Sequence, residues 1–250
     1  MSSLVAIVFA GTLAYRAYTH VRAALAGRSR RLRSLGATPV TVAELVAMAG
    51  AARAELGPGV FDQHVVASGV AEPSEHGPLE APFSATPCVW YRATTLRVVQ
   101  DGKGRTRHEV DADVTSRQGF RLVDGGAELH VLAGATPIEG ATQTVDEVVE
   151  SPDEGIDLGL VRIVSNPDRT IRREWVVAAG TRLTVVADVR DVAGRLVAKE
   201  RPDAPIRITT ETSSEAVQAD ERAERGGWRS GALYAAAALA ALLFAVIGPF

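Results

Sequence analysis

Hydrophobic and polar positions follow three patterns along the chain. The two ends are uncharged and apolar. The middle alternates over short runs. Between the ends and the middle lie two stretches of helical character. The C-terminal residues 230–250, "SGALYAAAALAALLFAVIGPF", contain no charge over 21 positions. A helix of that length covers about 30 Å, the thickness of a hydrocarbon core. Trp228 and Tyr234 sit near its start, where amphipathic rings suit a membrane interface. This predicts a transmembrane helix. The N-terminal run "MSSLVAIVFAGTLAY" is uncharged over 15 residues, short of the roughly 20 that a span requires. Continued to residue 26, with Arg16 snorkelling, it reads as a second anchor. A signal peptide is the rival, but that needs basic residues before the apolar run, and "MSS" has none.

The middle of the chain predicts a mainly β (α+β) fold. Nine runs rich in Val, Ile and Thr are punctuated by Gly, Pro and Asp: residues 64–71, 88–99, 108–116, 119–125, 127–134, 159–165, 173–180, 181–191 and 206–211. Residues 100–104 and 123–127 carry Asp-Gly steps and read as hairpin turns. The expected architecture is a compact antiparallel barrel-like or two-sheet domain, flanked by N- and C-terminal transmembrane helices. Residues 143–152 read as a short helix or loop within it. Ahead of the strands, residues 38–59 are helical, with a capping box at Thr41 and Glu44 and a stop at Gly57-Pro58-Gly59. The organisation is then an anchor helix over 1–26, a basic juxtamembrane segment and helix over 27–59, and a β domain over 60–212. A juxtamembrane helix over 213–229 and a span over 230–250 follow. Ser213 or Ser214 caps that last helix, and Gly226-Gly227 is its hinge.

Charge then orients the chain. Arg16, Arg22, Arg28, Arg30, Arg31 and Arg33 precede the first acid, Glu44. Arg222, Arg225 and Arg229, interleaved with Asp220, Glu221 and Glu224, precede the second span. Basic residues beside a span stay on the cytoplasmic side, so the central domain is expected to be cytoplasmic in a bacterial inner membrane. The arginines also suit anionic lipid headgroups, and a pure topology signal explains them equally well. Without those six arginines, 21 basic residues face 30 acidic ones. The whole chain carries −3, so there is no basic footprint for nucleic acid. Lysine appears only at Lys103 and Lys199, a bias typical of a GC-rich bacterial genome. The single cysteine, Cys88, excludes an intramolecular disulfide and a cysteine-rich zinc site.

The order of short motifs supplies a resemblance. Pro78-Leu79 precedes "PCVWYR" at Pro87 to Arg92. Then come "GFRLVDGGAELHVLAGA", Glu174 ahead of Gly180, and a last strand running into Ser213-Ser214-Glu215. This resembles the GIDE-type, or beside-a-membrane, domain of the membrane-anchored E3 ubiquitin ligase family, over about residues 60–250. The resemblance implies a membrane-proximal β domain and a link to ubiquitin transfer. A RING needs about eight Cys and His ligands around two zinc ions. These 250 residues hold one Cys and five His, so a RING is not expected within them.

The remaining chemistry is sparse. Cys88 as a nucleophile requires a base, and His64, His76, His108 and His130 are the candidates. A buried cysteine packed as a small hydrophobe is the favoured alternative. The histidines have no metal-ligand spacing. "GKGRT" at 102–106 lacks the phosphate-loop pattern and reads as a turn. Arg169, Arg172 and Arg173, flanked by Asp168 and Glu174, read as a solvated strand edge, and Asp111 and Asp113 as a polar strand face. No catalytic, cofactor-binding or metal-ligating residue is therefore assigned, and no cofactor. The expected partners are the lipid bilayer and a protein, or a second copy of the chain, packed on the small residues Gly231, Ala235, Ala238 and Ala241. The expected role is a non-catalytic interaction or scaffold module. The alternatives are a Cys88-dependent enzyme and an accessory subunit of a ubiquitin-like transfer system.

Overall fold

The computed structural model describes residues 2–100, 105–150, 156–157, 162–163, 169–201 and 205–247. In chain order the elements are α1 (Ser2–Gly36), β1 (Thr38–Thr41), α2 (Val42–Leu56), β2 (Asp62–Pro73), β3 (Leu79–Glu80) and β4 (Pro87–Cys88). Next are β5 (Trp90–Gln100), β6 (Thr106–Thr115), β7 (Phe120–Asp124), β8 (Ala127–Leu132), β9 (Ile138–Glu139) and β10 (Thr142–Glu150). Then follow β11 (Ile156–Asp157), β12 (Arg162–Ile163), β13 (Arg169–Val177), β14 (Arg182–Val192), β15 (Arg195–Lys199), β16 (Arg207–Thr209) and α3 (Ser213–Ile247). The chain divides into two compact units, residues 39–212 and a pairing of 1–38 with 213–250.

The first unit is mainly β. β2, β7, β8, β15 and β14 pair in that cyclic order, and β14 returns to β2, so five strands close a barrel. Closure removes the free edges that an open sheet would expose. The alternation that predicts strands also fills the barrel. Val65, Ala67 and Ala71 of β2, and Leu183, Val185, Ala187 and Val189 of β14, are buried at two-residue spacing. Phe120, Leu122, Leu129, Val131, Leu196 and Ala198 complete the same core. One expectation fails in detail, since the sheet is not purely antiparallel. β15 runs parallel to β8, and β16 parallel to β9.

α2 packs its Val42, Leu45 and Ala49 into this core, at the i, i+3, i+7 spacing of one helix face. Its start is the expected capping box. The Thr41 side chain accepts from the Glu44 N–H at 3.1 Å, and the Glu44 carboxylate accepts from the Thr41 N–H at 2.8 Å. Gly57, at φ 94, ends it.

A second sheet, β10-β13-β5-β6, is antiparallel throughout. Here two readings of the sequence are corrected. Residues 142–150 form a strand, not a helix or loop, because all but Thr144, at a bulge, find a partner on β13 some thirty residues later. The Arg169, Arg172 and Arg173 run is a central strand, not an edge. Its arginines lie opposite Glu150, Glu147 and Asp146 of β10 and pair with them at 2.9, 3.8 and 3.2 Å. On the other side, Arg92 and Arg97 of β5 bind Asp113 and Asp111 of β6. Each exposed pair is worth at most about 1 kcal/mol, but the opposite charges across β10–β13 and across β5–β6 oppose a one-residue slip. The expected turn at 100–104 and most of the expected strand at 159–165 lie outside the described residues.

The second unit is a pair of long helices. Gly227 of α3 faces Ala24 and the His20 carbonyl of α1, and Gly231 faces Val21 and the Ala17 carbonyl. Later residues of α3 meet earlier residues of α1, so the helices are antiparallel. A Cβ at Gly227 would lie 2.8 Å from that of Ala24, so glycine sets the closeness of approach. Ala10, Ala17 and Ala24, spaced by seven, are buried, as is Ala238. His20 stacks on Tyr234 with ring centroids 5.3 Å apart.

The flanking transmembrane helices are overturned. Among the described residues, no helix is long and apolar enough to cross a membrane. Arg16, Arg22 and Arg28 interrupt α1, and the first half of α3 carries an interleaved run of acids and arginines ending at Arg229. The apolar residues 1–7 and 244–250 of the expected spans lie outside the residues whose side chains are described. α3 runs unbroken through Gly226-Gly227, the expected hinge.

Candidate functional site

Two tight hairpins border a concave face of the β unit. Between β7 and β8, Gly125 and Gly126 have φ of 58 and 84, and Asp124 pairs with Ala127. Between β14 and β15, Ala193 and Gly194 have φ of 50 and 87, and Val192 pairs with Arg195. Positive φ at both central residues matches the twist of the strands. Glycine takes that conformation freely, whereas Ala193 is a strained choice. Buried Asp191 helps to hold it. Its carboxylate accepts from the Gly194 N–H at 3.0 Å and from the Arg53 guanidinium at 2.9 Å. The Arg53 hydrogen bond, set against some desolvation, keeps Asp191 below the usual carboxylate range. That contact also fastens α2 to the turn.

The groove beside these turns has two adjoining clefts. One of about 460 Å³ lies against α2, between Val46, Ala49 and Arg53 and the two turns. The other, about 340 Å³, is lined by Ser74, His76, Arg117, Gln118, Phe120 and Leu132 among others. Glu75, His130 and Arg195 line both. The rim is pinned at two points. The Gln118 amide donates to Ser74 Oγ at 2.7 Å and to the Gly77 carbonyl at 3.0 Å. Arg195 reaches Glu75 at 2.6 Å. Sequence reasoning considered His76 and His130 only as bases for Cys88, and it missed Arg53, Glu75, Arg117 and Arg195. Nothing in their local pattern marks them, since the four come from four separate segments.

Cys88 stands elsewhere. It is fully buried, among Ala81, Val176, Leu79 and Tyr91. Burial raises its thiol first, and the nearby Glu174 carboxylate adds to the effect, up to about 11. At neutral pH about one thiol in ten thousand would then be ionised. None of the four histidines is drawn beside it: His76 and His130 line the groove, His64 bonds Asp188 at 2.7 Å on the barrel, and His108 lies on β6. Its burial favours the packed-thiol reading over the nucleophile. Native alkylation of Cys88 is expected to be negligible over hours and to become rapid in denaturant; prompt native modification would show an accessible thiol.

The residue that organises the Cys88 neighbourhood is Glu174, which is 0% exposed. Its carboxylate accepts from the Phe83 N–H at 2.6 Å, Ser84 Oγ at 2.5 Å and Thr144 Oγ1 at 2.8 Å, and more weakly from the Ser84 N–H. Burial alone would raise this carboxyl. The hydrogen bonds from Ser84, Phe83 and Thr144 outweigh it and hold the group below its usual value. The loop carrying Phe83 and Ser84 is thus clamped onto β13, with the Arg172 guanidinium 5.4 Å from the centre of the Phe83 ring. Among the described residues, no group of His, Cys, Asp and Glu could hold a metal ion.

No curated protein and no solved structure gives a match to the chain. A family model does: GIDE, described as E3 ubiquitin ligase, over residues 94–244. The match begins inside β5, so it omits the Pro87 to Arg92 motif, and it continues through β6 to β16 and most of α3. It covers more than half of the 250 residues, and the chain belongs to the GIDE family.

Proposed function

We propose that this GIDE-family chain is a non-catalytic interaction module, whose β unit presents the groove beside α2 to a protein partner. The observation that carries this reading is the state of Cys88. The only thiol in these residues is sealed in an apolar pocket and held protonated, so it cannot receive an acyl group such as activated ubiquitin. Within these 250 residues, one Cys and five His fall short of the ligands that a RING requires. The groove, with its pinned rim and mixed charge, is shaped to bind. The family description favours a second role for the same module, holding a separate catalytic partner of a ubiquitin-like transfer system.

The test is a reconstituted transfer assay with ubiquitin, an activating enzyme and a panel of conjugating enzymes. The chain is expected to leave the rate of ubiquitin discharge unchanged, within about twofold. A tenfold acceleration that survives Cys88→Ser would overturn the non-catalytic reading in favour of a scaffold that activates the conjugating enzyme. One abolished by Cys88→Ser would restore the cysteine mechanism.

A further inference from the structure

The geometry points to an oxyanion site in the smaller cleft, built to take a carboxylate or phosphate group between Arg117, His76 and His130. This deepens the interaction-module reading by naming the chemistry of what the groove holds.

Arg117 carries the inference. Guanidinium groups elsewhere in the β unit are widely matched: Arg53, Arg92, Arg97, Arg121, Arg169, Arg172, Arg173, Arg190 and Arg207 all have carboxylate partners. Arg117 lines the cleft and has no ion pair or hydrogen bond among the described residues. In a chain carrying −3 overall, leaving a cation unpaired in a concavity is informative, because its five N–H donors suit an oxyanion. Arg195 is occupied by Glu75, and their pairing leaves Arg117 as the net charge of the cleft.

The histidines supply further donors. His130 sits where the two clefts meet and is half-buried, and its ring makes no hydrogen bond among the described residues. His76 lines the same cleft, and its ring makes no hydrogen bond among the described residues. Each neutral imidazole offers one N–H. Gly119 lets the backbone beside Arg117 lie close against β8, since an added Cβ would meet Val131 O at 2.6 Å and Leu132 Cδ2 at 2.5 Å. Gln118, next to Arg117, is locked to Ser74 and Gly77, so the backbone bearing Arg117 is fixed before any ligand arrives. Such preorganisation lowers the cost of binding.

The test uses the full chain at constant ionic strength, with inorganic phosphate in one arm and a glutamate-rich octapeptide in the other. The histidine ring signals are followed by NMR. The expected result is a saturable shift of His76 and His130 with His64 and His108 still. Arg117→Ala, at an exposed position, should weaken it at least tenfold, and Arg117→Lys should recover part. Saturation by phosphate alone identifies a free phosphate or phosphate ester as the source. Saturation by the peptide identifies an acidic segment of a partner. Failure of both probes to saturate, or equal affinity in Arg117→Ala, overturns the oxyanion site. The ubiquitin transfer assay is independent of this result, so the interaction-module reading stands or falls separately.

Discussion

Glu174→Ala is expected to destabilise the β unit by about 2–4 kcal/mol, among the largest effects of any substitution outside the barrel core. The reason is asymmetric. The side chain is one acceptor group serving several donors: the Phe83 and Ser84 amides and the Ser84 and Thr144 hydroxyls. Removing it strands those donors, and an unsatisfied buried donor costs about 1–3 kcal/mol. The hydroxyls can turn to other acceptors, so the costs do not simply add. Glu174→Gln keeps the shape and one acceptor oxygen but turns an NH2 group toward donors, so it should lose roughly half as much. Urea unfolding gives the size, read as a lower midpoint at unchanged slope. Hydrogen exchange gives the place, with the Phe83 and Ser84 amides losing protection first. A midpoint unmoved in Glu174→Ala would show that the clamp holds nothing.

The same residue sets an acid limb. Its folded-state carboxyl lies below its ordinary value of 4.5, so on acidification the unfolded chain takes up the proton first. The stability it contributes is complete above that ordinary value. It is lost as pH falls through 4.5 and on through the depressed folded value. Asp191 and Asp113, lowered chiefly by hydrogen bonds from Arg53 and Arg92, act in the same direction from an ordinary value of 3.8. Glu174→Gln should flatten the decline below pH 5 without abolishing it. An unchanged acid limb would assign it to Asp191, Asp113 and Glu44, which the Thr41 N–H also holds low.

Trp90→Ala is expected to cost about 3–5 kcal/mol, the range for truncating a buried large aromatic. Trp90 is the largest fully buried side chain and belongs to the barrel's core cluster. It is also the first residue of β5, opposite Val177 of β13, so it ties the four-stranded sheet to the barrel. Its indole N–H has no acceptor among the described residues. Phenylalanine would give up ring volume but also remove that orphan donor. Trp90→Phe should therefore cost clearly less than Trp90→Ala, about 1–2 kcal/mol. Thermal or urea unfolding of the pair decides it. Equal losses would mean that the indole N–H is satisfied and that its bond, rather than packing, is what Trp90 provides.

Local physics decided much of this protein, and that part was legible. The alternation of Val65, Ala67 and Ala71, and of Leu183 to Val189, reports a strand with one buried face whatever lies beside it. The Thr41 and Glu44 capping box and the glycines of the β7–β8 turn are satisfied within a few residues, so their meaning is local too. The order of motifs was enough for the GIDE family. The small residues of α3 were visible as a stripe, but not that α1 of the same chain would meet Gly227 and Gly231.

What only the tertiary structure decided depends on contacts far apart in sequence. Residues 142–150 are polar and periodic in neither sense, and they become a strand because β13 offers three arginines in register. The parallel junction of β15 with β8 follows from barrel closure, which no local window contains. Glu174 looks like a surface acid until the Phe83 and Ser84 amides, some ninety residues earlier, fold onto it. The packed thiol favoured for Cys88 could be seen only in the folded chain, since its exposure is set by Ala81 and Val176. The groove gathers Arg53, Glu75, Arg117, His130 and Arg195 from five segments. Sequence specifies elements through nearest-neighbour spacing, whereas a site is a coincidence of distant side chains, and only closing the barrel brings them together.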